Sequence, residues 1–327
     1  MAHGQARERA EGLRLGVPQV AGGAGLRAVP ECIPCVLEIA VNTINRAVPR
    51  EDRGRAIAEA TRRVLELYER EPTPQPPRLG TEAQRAVMKY AEDEDPYEEE
   101  KRRANRVALE LVEKLERVLE GLDPEERLRR AAAAAIVGNT IDFAVAGHEF
   151  DVEELREEVR KPEFAVYDLD PDELRGKRIV YLCDNAGEIA FDRLLIEVLT
   201  EDLEAEVIAV VRGAPIVNDA TLEDAREVGL TDVCEVIDTG AEMLGLLVTE
   251  AGSELREALE SADLVLSKGQ GNFESIPEEP FPDVPVYFLL RAKCEPVARE
   301  LGVSVGDNVA AEWKPGEENV RRWEELE

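Results

Sequence analysis

The sequence predicts an α/β fold: a mostly parallel sheet covered by helices on both faces, preceded by a helical N-terminal region. Three observations carry this. Beyond Lys177, short apolar runs (KRIVYLC, EVIAVVRG, CEVIDTG, ADLVLSKG, VPVYFLL) alternate with helical or turn segments, the order that builds a parallel sheet. Before them, from Glu31, apolar residues recur every three or four positions, the helical period. With 327 residues, 44 % of them hydrophobic, the chain is globular and long enough to bury a sizeable core.

The elements follow in order. Residues 1–29, with Gly22, Gly23 and Gly25 close together, read as a poorly ordered leader. Residues 30–165 form the helical region. Ile33, Val36, Leu37, Ala40, Val41 and Ile44 mark one helix, and Arg53–Glu69 a second. The Pro-rich EPTPQPPRLG then reads as an extended connector. The acidic run EDEDPYEEE is a solvated loop and helix start; Asn105–Leu119 is an amphipathic helix closed by Gly121. Asp123 is placed to cap the next helix. AAAAAIVGNTIDFAVAG (131–147) is apolar on nearly every side, hence buried, and its Asn139 and Asp142 either cap a neighbouring element or face a site. A linker spans about 161–176; residues 166–312 carry the strand–helix alternation, and 313–327 read as a polar tail.

Charge excludes several functions. The formal net charge is −31, which repels phosphate backbones and anionic lipid heads, so neither nucleic acid nor membrane is an expected partner. No run of about 18 apolar residues offers a membrane span, and no signal-peptide core stands at the N-terminus; a cytosolic location is expected. Acidity of this degree suits a salty cytoplasm. Five cysteines at wide spacings are not a secreted disulfide framework.

Ligands of open parallel sheets bind beyond the carboxyl ends of the strands. There the sequence places Asp184, Asn185 and Glu188 after one strand, Arg212 and then Asn218 and Asp219 after the next, Lys268–Gly269–Gln270–Gly271–Asn272–Phe273–Glu274 after a later one, and Arg291, Lys293 and Cys294 after the last. Asp184 and Asp219 are either helix N-caps or, with Asn185, hard oxygen ligands suited to a divalent cation. KGQGN offers backbone N–H groups and the Lys268 charge to an anion. YDLDPDEL, superficially like a haloacid-dehalogenase nucleophile loop, reads as a surface turn, since Pro171 and Asp172 stand where that loop wants Thr or Val. Cys32–Cys35 (CIPC) are buried thiols, a redox pair or, with Cys294, a structural metal site.

DNAGE, RGAPIxND, KGQGNFE and RAKC, behind CIPC and a GNxxDF helix, together resemble the DUF89 family of damage-control phosphatases (ARMT1-like), in its archaeal and bacterial branch. The resemblance runs from about Pro30 to Ala311. It implies a Rossmann-like α/β/α domain and a divalent metal (Mn, Co, Ni or Mg) on Asp184, Asn185 and Asp219, with Lys268 as the family lysine. The expected activity is metal-dependent hydrolysis of small phosphorylated metabolites. Lys268 and the N–H groups of Gly269–Asn272 would bind the phosphate, Glu188 and Asp219 would orient or deprotonate water, and Arg212, Asn139, Asp142 and Glu274 would line the pocket. The rivals are an S-adenosylmethionine-dependent methyltransferase, whose usual glycine-rich loop is absent, and a non-catalytic metal- or nucleotide-binding protein.

Overall fold

The computed structural model describes residues 26–71, 73–138 and 152–326. Five helices come first: α1 (Cys32–Ala47), α2 (Arg53–Arg70), α3 (Pro76–Met88), α4 (Glu98–Leu119) and α5 (Pro124–Val137). The strands are β1 (Val166–Tyr167), β2 (Arg178–Leu182), β3 (Glu206–Val211), β4 (Glu235–Asp238), β5 (Leu264–Lys268), β6 (Val286–Arg291) and β7 (Asn308–Trp313). Among the described residues they form one sheet in the order β1-β7-β6-β5-β2-β3-β4. Strands β2 to β6 are parallel; β7 runs antiparallel to β6, and β1 follows β7. The winding reverses between β2 and β5, where a crevice opens at the carboxyl ends of the strands.

Strand side chains alternate between two cores. Ile179, Tyr181, Leu264 and Leu266 face the layer of α4, α5 and the Glu188–Glu201 helix; Val180, Leu182 and Val265 face the Ser253–Ser261 and Glu295–Leu301 helices. Alanine makes α5 thin. Ala131–Ala135 are all buried, and the helix lies close against Glu188–Glu201. A Cβ at Gly138 would come within 2.8 Å of the Phe191 ring. Helices α1–α3 close around a smaller core of their own, including Val36, Ala40, Ala60, Val64 and Leu79.

Several expectations change. Residues 30–165 are not a separate helical domain, because α4 and α5 are one outer layer of the sandwich. The leader 1–29 is shorter than expected at its end: Leu26 and Ala28 are buried, and the Ala28 N–H donates to the Pro74 carbonyl at 2.9 Å. In the Pro-rich connector, Pro76 and Pro77 start α3, where a first turn needs no proline N–H. The 161–176 linker contains β1 and the short Pro171–Leu174 helix, with Asp170 as its N-cap. The 313–327 tail is mostly a helix, Glu317–Glu324, held by Asn319 Nδ2 donating to the carbonyls of Pro277 and Glu279.

That helix buries Trp323 in the core cluster that also holds Phe288 and Trp313. Trp323→Ala should lower unfolding free energy by about 3 kcal/mol, the usual cost of emptying a large aromatic site. Denaturant midpoints at unchanged slope would show it; an unaffected midpoint would return the segment to the status of a tail.

Candidate active site

The loops leaving β2 and β3 are stitched together by their backbones. The Cys183 N–H donates to the Val210 carbonyl (2.9 Å), Ala186 to Asn218 (2.9 Å), Ala220 to Asp184 (2.8 Å) and Arg212 to Ala220 (2.8 Å). Asn185 and Asp219 face each other as an isolated antiparallel bridge. This lacing brings Asp184, Asn185 and Asp219 to the crevice at the sheet's reversal.

Neither aspartate caps a helix. Gly187 stands at the N-cap of the Glu188–Glu201 helix, and Thr221 with Asp224 forms the capping box of Leu222–Glu227. Both carboxyls are nonetheless buried, Asp184 at 8 % exposure and Asp219 at 5 %. Burial pushes the Asp184 carboxyl well above the usual range, and the charges of Asp219 and Glu188 push it further. Burial also raises Asp219, against the opposing pull of Arg212. Gly269, at φ +80°, leaves room for Asp184: a side chain there would overlap the Asp184 carboxylate.

Arg212 is buried and does not line the cavity that Asp184 and Asp219 share. Its Nε donates to Asp219 Oδ2 at 2.6 Å and its Nη2 to Asn272 Oδ1 at 3.3 Å, and Nη2 lies 3.6 Å from Asp184 Oδ1. Asn272 is fully buried too, its Nδ2 donating to the Lys268 carbonyl at 2.7 Å. The KGQGN segment runs into a short helix, Gly269–Ser275, with Lys268 at its N-cap.

Lys268 is the largest departure from expectation. The last residue of a central strand, it has 0 % exposure and points away from the crevice's cavity into the core. Its Nζ donates to the Ala135 carbonyl (2.7 Å), Glu188 Oε1 (2.5 Å) and Asp192 Oδ1 (2.7 Å). Burial pulls its pKa down, but Asp192 and Glu188 more than offset this and hold it above the ordinary lysine value. Asp192 also accepts from Tyr181 Oη at 2.8 Å, and burial lifts its pKa to about 6 against the pull of Lys268. Glu188 in turn accepts from Asn185 Nδ2 at 3.3 Å, and the same Nδ2 donates to Asp184 Oδ2 at 3.0 Å. Lys268 is thus joined to Asn185 through Glu188, and neither Lys268 nor Glu188 lines the cavity of Asp184 and Asp219.

A cavity of about 420 Å³ opens above this floor. Of the expected residues, Asp184, Asn185, Asp219, Gly271 and Glu274 line it. Asn139 and Asp142 lie outside the described residues. Lys293, which the motif reading quoted without a role, lines it as well, as do Gln270, Cys32, Cys35 and Cys294. Lys293 is exposed, and its charge favours ionised Asp184. Every residue of the LVLSK strand is buried, whereas Lys293 lies beyond the end of β6. Val36, Ile39, Pro76, Pro77 and Leu244 form an apolar wall.

Lys268→Met should cost about 3–5 kcal/mol of stability in metal-free protein, because two buried carboxylates lose their cation. Chemical unfolding checks it; a variant as stable as the parent would contradict the buried cluster. Glu274 supplies a pH test. Burial raises its carboxyl to about 7, opposed by a hydrogen bond from Gln270. A carboxyl with a raised folded pKa stabilises the fold fully below its unfolded value, about 4.3, and loses that contribution as pH climbs to 7. Glu274→Gln should therefore flatten the decline of Tm between about pH 5 and 7.

The chain is similar to known proteins over most of its length. A family model described as the damage-control phosphatase ARMT1-like domain matches residues 28–309. A damage-control phosphatase of Archaeoglobus fulgidus is 37 % identical over 291 residues, covering 87 % of this chain and 99 % of its own. A damage-control phosphatase of Pyrococcus horikoshii is 36 % identical over 283 residues, covering 84 % and 94 %. The crystal structure of a DUF89 family protein from P. horikoshii superposes with a TM-score of 0.77 at 33 % identity, covering 88 % of this chain and 99 % of that one.

Proposed function

The chain belongs to the damage-control phosphatase ARMT1-like family, and on that premise we propose that it is a metal-dependent phosphomonoesterase acting on small phosphorylated metabolites. The observation that carries the site assignment is the pair of buried aspartates at the sheet's reversal, neither of them a helix cap. Asn185 completes the set. Its amide nitrogen is engaged by Asp184 and Glu188, which leaves the amide oxygen as the donor for a cation. Two carboxylates and an amide oxygen are hard ligands that fit Mg²⁺, Mn²⁺, Co²⁺ or Ni²⁺. When bound, such a cation supplies Lewis acidity toward a phosphate oxygen and lowers the pKa of water.

The chain's own groups do the rest. Arg212 donates to Asp219 and favours its ionised form, against the burial that raises the carboxyl. Lys293 offers a compact ammonium at the cavity wall to the phosphate's charge. The apolar wall of Val36, Ile39 and Leu244 holds the organic part of the substrate and limits water. Among the described residues no helix is long and apolar enough to cross a membrane, and a charge of −31 disfavours nucleic acid.

Metal-stripped protein, resupplied with one divalent ion at a time and offered a generic phosphomonoester, tests the reading. Asp184→Asn and Asp219→Asn should each lower cation affinity, read by calorimetry, and turnover by on the order of 10²-fold or more. Lys293→Met should keep cation affinity and raise KM. Metal-independent turnover, or full activity in the aspartate variants, would falsify the assignment.

A further inference from the structure

Three of the five cysteines stand around one cavity, and nothing in the phosphatase chemistry uses them. Cys32 opens α1 and Cys35 lies one turn further on; Cys294 is the N-cap of the Glu295–Leu301 helix. All three are free thiols that line the cavity of Asp184 and Asp219, Cys35 exposed and the other two partly buried. The remaining cysteines differ: Cys183 is buried and Cys234 packs against the core.

The helix brings the first two within bonding range. Residues three apart share a helix face, and the helical rise and radius put their Cα atoms about 5 Å apart. Disulfides span Cα separations of about 4.4–6.8 Å, so this spacing lies within disulfide range. Cys294 sits close enough that its charge acts on both partners. Burial first, then the negative charge of Glu274, raises all three thiols, which disfavours the thiolate form.

We propose that Cys32 and Cys35 form a reversible dithiol–disulfide pair whose oxidation by a peroxide weakens substrate binding in the phosphatase cavity. The exposed Cys35 sulfur attacks the peroxide O–O bond, giving a sulfenic acid and one water. The Cys32 sulfur then displaces the sulfenic hydroxyl, which leaves with the Cys32 proton as a second water. Two thiols and one hydrogen peroxide thus become one disulfide and two waters; a small dithiol returns the two electrons and two protons. The bond ties both sulfurs to the α1 face and reshapes the wall that α1 contributes, without touching Asp184, Asn185 or Asp219. The effect falls on KM, while cation affinity stays.

The effect on turnover rests on the phosphatase reading, whereas the bond itself does not, and the experiment separates them. Full-length protein is treated with hydrogen peroxide, and the disulfide is mapped by intact mass and peptide analysis. KM for a generic phosphomonoester with Mn²⁺ is then measured before and after, beside calorimetric Mn²⁺ affinity. The expected result is a loss of two hydrogens mapped to Cys32–Cys35 and a several-fold rise in KM. Dithiothreitol should reverse it, Mn²⁺ affinity should hold, and Cys35→Ser should show the same KM with and without peroxide. An unchanged mass, a bridge elsewhere, or an unchanged KM in the bridged protein overturns the proposal. So does zinc co-purifying with the chain and lost in Cys35→Ser, which would make the thiols metal ligands. No turnover in reduced protein overturns the phosphatase reading instead, and the mapped bond still decides the pair.

Discussion

A lysine ammonium without access to water sits where the layers of this molecule meet. Lys268 ends a central strand, takes the carbonyl of Ala135 from α5, and bonds two carboxylates, Glu188 and Asp192, on the first two turns of the helix after β2. Each charge is affordable in the interior only because the others are there. Through Glu188 the cluster reaches Asn185, and through Asn185 it reaches Asp184. The orientation of the candidate metal ligands is thereby coupled to the packing of the core beneath them.

The same logic governs Arg212. A guanidinium buried between Asp184 and Asp219 offsets part of their repulsion and lets two carboxylates remain at a desolvated strand end. The charge available at the cavity wall then comes from Lys293, on the loop after β6. The two cations behind the aspartates, Arg212 and Lys268, are buried, whereas Lys293 at the cavity is exposed.

Helices α1 and α3 give the cavity its other side. Their proline and aliphatic residues face the aspartates, and α1 brings the Cys32–Cys35 pair to the same space as the loop carrying Lys293 and Cys294. Packing of α3 on the Gly269–Ser275 helix fixes that side, with Gly80 giving way to Leu244. The N-terminal helices are thus part of the site and not an appendage to the sheet.

Much of this was legible in residue order. Alternating apolar runs specify a parallel sheet, because each run is long enough for a strand and both of its faces must be covered. The residues just after each run, Asp184, Asn185 and Asp219, are the ones the crevice collects, since strand ends are where a parallel sheet presents side chains to a ligand. The alanine-rich 131–137 stretch declared its burial by having no polar face. Direction was not legible. Lys268 and Lys293 both follow apolar strands, and only the placement of β5 between β2 and β6, with α5 above it, turns one inward to Glu188 and Asp192 and leaves the other at the cavity. Likewise the Pro76–Pro77 helix start, the antiparallel β7 and the seat of Trp323 depend on contacts with distant segments that no local pattern contains. Periodicity is a property of neighbours along the chain and reports which face of an element is buried; the partner of a buried charge is a property of neighbours in space, and only the folded chain selects it.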